Sequence, residues 1–237
     1  SQSTLAIADG KGGNNYTLAY VGDELEITQR AITLTANDRT KTYGDSLTLG
    51  NTAFEVTSGS LAYSENIDTA TLVSTNNLAT DISSNVGDYT DNITMADALG
   101  SNGFKTDNYV ITYAAGDLKI DPLAITITAD GQTKVYGDAE PSLSYTQSTA
   151  LIGTDALTGS LGRASGEDVG NYAISQSTLA IADGKGGNNY TLTYVGDELE
   201  ITRRAITLVA DTASKTYGDT DPTLSVSIDA GSLGSVT

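Results

Sequence analysis

Cysteine, histidine and tryptophan are absent from this 237-residue sequence, proline occurs three times and phenylalanine twice. Without histidine, the usual general base and any histidine-assisted serine or cysteine triad are excluded. Without cysteine as well, zinc, iron–sulfur and thiol chemistry lack their soft ligand, and extracellular stability would have to come without disulfides. Basic residues are scarce too: 12 Lys+Arg face 30 Asp+Glu, a net charge of −18 at pH 7. Neutralising phosphate needs clustered Lys and Arg, so neither nucleic acid nor anionic lipid is an expected partner. No run approaches the ~18 apolar residues of a membrane span, so no membrane insertion is expected of this segment. The Ser-Gln-Ser-Thr start lacks the basic-then-apolar pattern of a signal peptide. What remains is carboxylate chemistry, hard-cation binding, or a purely structural role.

What is present is repetition. Residues 1–45 and 175–219 are nearly the same text: Ser1–Leu18 recurs letter for letter at Ser175–Leu192. Beyond that the copies differ at Ala19/Thr193, Gln29/Arg203, Thr35/Val209 and in Asn37–Thr40 against Asp211–Ser214. A shorter signal occurs three times, as Lys41-Thr-Tyr-Gly-Asp45, Lys134-Val-Tyr-Gly-Asp138 and Lys215-Thr-Tyr-Gly-Asp219, at spacings of 93 and 81 residues. Each follows an apolar alternation opening at Ala31, Ala124 or Ala205, and each alternation follows an Asn-Tyr segment at Asn15, Asn108 or Asn189. Self-similarity at such a period marks a repeat architecture. The unit opens at Ala-Ile-Thr and closes at Leu-x-Ile. Residues 31–123 and 124–204 are then complete units, 1–30 the back of a preceding one and 205–237 the front of a following one. A window cut this way is expected to come from a longer array.

Within a unit, Ile32, Leu34 and Ala36 point to one face and Thr33 and Thr35 to the other, the period of a half-buried strand. Ile125, Ile127 and Ala129 repeat this, as do Ile206, Leu208 and Ala210. In the closing strand Tyr190, Leu192 and Tyr194 share a face, as do Tyr16, Leu18 and Tyr20. Gly22-Asp23, Gly116-Asp117 and Gly196-Asp197 mark turns before a last short strand such as Leu199–Ile201. Helical periodicity is nearly absent; the best candidate is a single turn over Thr154–Leu157, with Thr154 or Asp155 as cap. The middle of the longer first unit, Ser58–Asn85, reads as polar loop with short strand-like pieces. Eleven of the 13 tyrosines fall at repeat-equivalent places. A tyrosine can bury its ring and keep its hydroxyl bonded or wet, which suits a thin β-module. They read as packing residues, with a sugar-stacking platform as the alternative.

Three constellations could carry chemistry. The loop Ala182–Asn189, copied at Ala8–Asn15, is rich in oxygen ligands and glycine, so Asp183, Asn188, Asp9 and Asn14 are candidate calcium ligands. It departs from the EF-hand spacing because Lys185 stands where a ligand is wanted, and Asp-Gly and Gly-Asn are also ordinary turn dipeptides. Lys-x-Tyr-Gly-Asp is explained as a turn, with Gly supplying a special backbone angle, Asp bonding nearby amides, Tyr packing and Lys solvated. Carboxylates such as Glu198 and Glu200 alternate with apolar strand residues, which reads as a solvated face rather than a glycosidase pair. The dispersed negative charge keeps neighbouring chains apart.

The ordered set Ala124–Ala129, Lys134–Asp138 with Pro141, Gly166–Tyr172, Asn189-Tyr190 and Gly196–Ile201 resembles the MBG repeat (mostly β, glycine-rich) of the Tyr-Gly-x type. The likeness covers the second unit and both end fragments well, and the first unit less closely, since that unit lacks the Pro and the Gly-Glu-x-Val-Gly stretch. It implies a large secreted or surface-anchored bacterial protein, often an adhesin, with such repeats arrayed as a stalk and no catalytic residues. The expected fold is all-β: a tandem, elongated array of small β-modules, sandwich-like or grasp-like, joined end to end by short linkers. Asp121, Pro122 and Leu123 form one junction and Thr202, Arg203 and Arg204 the next, too short for a flexible tether. The expected function is a rigid spacer in an extracellular fibre, not an enzyme. Its partners would be neighbouring repeats, with head-to-tail self-association by strand complementation between the fragments 205–237 and 1–30. The alternative is that the repeats themselves bind glycan, with or without calcium.

Overall fold

The alternating Ile and Leu positions place the first strand of each unit between two partners. In the computed structural model, which describes residues 7–19, 21–231 and 233, unit 1 consists of β1 (Arg30–Ala36), β2 (Arg39–Thr42), β3 (Phe54–Ser58), β4 (Asn66–Ser74), β5 (Gly87–Ser101), β6 (Tyr109–Ala114) and β7 (Gly116–Asp121). One sheet has the order β3-β1-β6, antiparallel on the β3 side and parallel on the β6 side. The other has the order β2-β7-β5-β4. The chain therefore changes sheet between β6 and β7, so Gly116 opens a strand of the second sheet rather than closing a hairpin. There is no room for a side chain at Gly116: a Cβ would lie 2.4 Å from the Ala36 carbonyl oxygen.

Unit 2 repeats this plan with β8 (Leu123–Ala129), β9 (Gln132–Val135), β10 (Tyr145–Gln147), β11 (Ala156–Thr158), β12 (Gly162–Arg163), β13 (Gly170–Ser175), β14 (Ala180–Ala182), β15 (Tyr190–Val195) and β16 (Glu198–Thr202). Its sheets run β10-β8-β15 and β12-β13-β16-β9, with β11-β14 as a separate pair where unit 1 has the far ends of β4 and β5. Beyond it β17 (Thr207–Ala210) and β18 (Val226–Ala230) form an exposed antiparallel pair.

Two expectations need correcting. The middle of unit 1 holds a long strand where only short strand-like pieces in a polar loop were expected: β4 has nine residues and pairs with the fifteen-residue β5, while the chain on either side of it is turn and loop. Thr154–Leu157 is not helical either; a turn closed by Asp155 N–H on the Ile152 carbonyl leads directly into β11. The 3-10 turns among the described residues lie in unit 1, at Thr75–Asn77 and Thr106–Asn108. Tyr20, assigned to a strand face with Tyr16 and Leu18, lies outside the described residues.

Between the two sheets of unit 1, Ile32, Leu34 and Ala36 of β1 meet Ile93, Met95 and Ala98 of β5 and Leu118 and Ile120 of β7. The same connected cluster runs on into unit 2 through Ile125, Ile127, Leu179, Ile181 and Tyr190. The interiors are thus coupled rather than separate. The accessible surface is 15559 Å², against about 10,100 Å² for a compact monomer of this 24.5 kDa mass. The array is far from a single globule. No helix among the described residues is long and apolar enough to cross a membrane.

Candidate functional site

The coupling between units is concentrated at the Tyr-Gly turn. Asp45 N–H closes the turn on the Thr42 carbonyl, and Gly44 takes φ +93°, a conformation that excludes most side chains. This turn projects Tyr43 out of unit 1 and into unit 2, where it is only 4 % exposed. Its ring meets Tyr190 edge-on with centroids 5.4 Å apart, a favoured aromatic geometry. Gly44 itself is pressed against unit 2: a Cβ there would lie 2.7 Å from Ile152 Cδ1.

Asp155 is the polar centre of the joint. Its Oδ2 accepts from the Tyr43 hydroxyl at 2.9 Å and from the Tyr190 hydroxyl at 2.7 Å. Ile152 N–H donates to the Tyr190 oxygen at 2.8 Å. Burial, reinforced by the Asp155 hydrogen bond, pushes the Tyr43 phenol well above its ordinary range. Burial likewise pushes Tyr190 up to about 12, although the Ile152 amide pulls the other way. Both phenols stay neutral, the opposite of what a nucleophile or base at neutral pH requires.

A second set of bonds flanks the first. Asn189, 1 % exposed, accepts from Val86 N–H at 3.0 Å and donates to Asn85 Oδ1 at 3.0 Å, both across the joint. Its carbonyl accepts from Leu123 N–H. Its own amide donates to Asp183 Oδ2 at 2.9 Å. A buried amide with every group engaged fixes orientation as well as distance.

This shows what the calcium-candidate loops do. Asp183 Oδ1 accepts from Lys185 and Gly187 amides at 2.8 and 2.7 Å, so the carboxylate folds the loop over itself and delivers Asn189 to the joint. Burial raises the Asp183 carboxyl, but the three amides outweigh it and leave it below the usual carboxylate value. The Asn188 side chain donates to the Lys185 carbonyl. In the first copy Asp9 Oδ1 accepts from Lys11 and Gly13 amides, and Asn14 donates to the Lys11 carbonyl. Those are turn bonds. Glu198 and Glu200 lie exposed on β16, and Glu198 accepts from Asn171.

In the two complete units the lysine of the signature is not solvated as the sequence suggested, whereas Lys215 of the third copy, with its side chain 46 % exposed, is. Lys41 is 5 % exposed and its ammonium donates to the carbonyls of Asp45, Ala79 and Asp81, while burial lowers its pKa. In unit 2 Lys134, 7 % exposed, instead pairs with Glu140 and Glu167, which also share Arg163. The lysine thus ties the turn down from inside, in two different ways.

Residues 32–119 and 125–200 match the MBG domain (YGX type). The chain belongs to this family. No curated protein and no solved structure matches it. MBG repeats are a non-enzymatic domain type typical of surface proteins. Here the tyrosine and glycine that name the type are the two residues that unit 1 inserts into unit 2. Sequence reasoning missed Asp155 and Asn189 as joint residues. The available signal was positional: both sit at fixed places in the unit, with Glu65 and Asn108 as their counterparts.

Proposed function

We propose that these MBG units form part of the stalk of a bacterial extracellular adhesin, with the role of stiff spacers and no catalytic one. The observation that carries this reading is the burial of Tyr43 of one unit inside the next, with Gly44 pressed against it. A joint held by an aromatic insertion, a shared carboxylate and a fully bonded asparagine resists bending and swivelling, so copy number becomes length. The dispersed charge of −18 opposes lateral clumping.

Small-angle scattering from the full chain tests it. A compact 237-residue domain would have a radius of gyration of about 18 Å. We expect a clearly larger value with a cross-section one unit wide; a value near 18 Å overturns the stalk.

Strand complementation between copies extends the same reading. β1 and β8 each carry a parallel partner, β6 and β15, whereas among the described residues β17 pairs only with β18. The Asn15–Val21 segment of a second copy, which differs from Asn189–Val195 only at Ala19/Thr193, has the text to fill that edge. Concentration-dependent polymer length is the expected result, and a strict monomer at high concentration refutes it. Glycan binding is the rival reading, favoured by the fully exposed Tyr63 at the rim of an open groove on unit 1; specific retention on a glycan array would establish it.

A further inference from the structure

The first and last segments of each complete unit lie side by side along their whole length. In unit 1 residues 30–42, which carry β1 and β2, run parallel to residues 109–121, which carry β6 and β7. The register is unbroken across the change of sheet: Arg30 faces Tyr109, Arg39 faces Leu118 and Thr42 faces Asp121 at one constant offset. Unit 2 does the same with residues 123–135 and 190–202, from Leu123 facing Tyr190 to Val135 facing Thr202. In unit 1 the crossing between sheets is pinned by the Asp117 amide, which donates to Asp38 Oδ1 at 2.7 Å. At the exit the ladders continue through Tyr43 N–H on the Asp121 carbonyl and Tyr136 N–H on that of Thr202, both at 2.8 Å.

The chain enters unit 1 at Arg30 and leaves it at Asp121, at opposite ends of this paired ribbon. Tension along the chain therefore drags one segment toward its N-terminus and the other toward its C-terminus. The load runs along the strands, so the rungs share it: six register pairs between β1 and β6 and four between β2 and β7. The core opposes the same slip. Ile32, Leu34, Leu118 and Ile120, each no more than 2 % exposed, face inward, and sliding a strand by one residue would turn its inward set to the other face.

We infer that each complete unit is a shear clamp, a tensile load-bearing module whose resistance to force along the chain comes from the parallel pairing of its first and last segments. This goes beyond stiffness against bending. Its role rests on the stalk reading, since a stalk carries tension from the bound surface to its anchor. The same topology leaves a weak direction. Gln29 Nε2 donates to the Asp107 carbonyl at 2.9 Å, so these two residues mark the same end of the β1/β6 pair. Pulling between them loads the first rung alone and then the next.

The chain has no cysteine, so handles can be placed at chosen positions of the full chain. Gln29→Cys with Lys119→Cys shears unit 1, whereas Gln29→Cys with Asp107→Cys peels it, and all three positions are exposed. Single-molecule pulling at one loading rate should find the peeling force at least about three-fold lower, because forced unfolding follows the unfolding rate under load and not the equilibrium stability. Releases of at most about 320 Å for the shearing pair and about 280 Å for the peeling pair identify the event as unit 1. Urea midpoints of the two double variants should coincide; a peeling pair that is weaker only because its midpoint is lower counts against the clamp. Equal forces in the two directions overturn it. Equal forces from a particle that scattering shows to be elongated remove the clamp alone, whereas direction-dependent force from a compact particle keeps the clamp and removes the stalk.

Discussion

Replacing Tyr43 by alanine should uncouple unit 1 from unit 2 without touching the sheets of either. The side chain is almost wholly buried, lies edge-on to Tyr190 and donates to Asp155. Truncating an aromatic side chain in a packed site costs about 3–5 kcal/mol. Tyr43→Phe isolates the hydroxyl. It removes one donor to a carboxylate, worth about 1–3 kcal/mol, and the lower end is expected because Asp155 keeps Tyr190. Tyr217→Ala is the internal comparison: same residue and same turn, but fully exposed, so within about 0.5 kcal/mol of wild type.

Urea unfolding followed by circular dichroism reads the stability. Residual dipolar couplings for the two units read their relative orientation. With Tyr43→Ala the single transition should broaden or split, and the two alignment tensors should diverge, while amide shifts within β4, β5 and β13 stay in place. The reasoning fails if Tyr43→Ala costs no more than Tyr217→Ala, or if it lowers stability while the units keep a common tensor. The latter would make Tyr43 an ordinary core residue of unit 1.

Alkaline pH should loosen the same joint: the phenols of Tyr43 and Tyr190 are raised above the unfolded value of about 10. Their stabilisation is complete below about pH 10; that of Tyr190 is lost as pH rises through about 12 and that of Tyr43 higher still, which pH-dependent melting should show and Tyr43→Phe should blunt. Acid should weaken unit 2 before unit 1, because Arg163, with Lys134, holds Glu140 down at about 2. That contribution is full above about pH 4.5 and disappears as pH falls toward 2, whereas Lys41 bonds to carbonyls that do not titrate; hydrogen exchange resolved by unit checks the order. Gly59→Ala should cost more than about 2 kcal/mol, because a Cβ would lie 2.4 Å from the Ala31 carbonyl oxygen, while Gly103→Ala, at similar φ but in open space, should cost about 1 kcal/mol by thermal melting. Millimolar calcium should not act through the Asp183 loop, since both oxygens of that carboxylate accept from loop amides, and the melting temperature of an Asp183→Asn variant should respond to calcium as the wild type does.

The strands that open and close a unit were legible because their burial alternates with the pleat: Ile32, Leu34 and Ala36 carry their own pattern. β4 was not legible. Asn66–Ser74 is rich in Thr, Asp and Asn, and it is a strand because β5 supplies a partner along its whole length, through two register shifts. The lysine was misread for a related reason. Solvation is the default for an ammonium group, and only the fold shows three carbonyls converging on Lys41. The joint was the hardest to see. Tyr43 and Asp155 are 112 residues apart, and each has an adequate local explanation, one as a turn residue and the other as a cap.

The joint also explains why a turn motif recurs with so little change while the middle of the unit varies. A turn that served only its own unit could drift, as β4 has against β11 and β12. A turn that must fit the next unit is held from both sides: Gly44 by the absence of space beside Ile152, Tyr43 by Tyr190 and Asp155. Each unit carries the insertion at one end and the receiving surface at the other, so the contact is head-to-tail and does not close on itself. Such an interface has no preferred copy number. Its free energy is added once per junction, and stiffness is inherited by every added unit. In the proposed stalk, length would follow the number of units, and a change in Tyr43, Gly44 or Asp155 would act at the one junction these residues build.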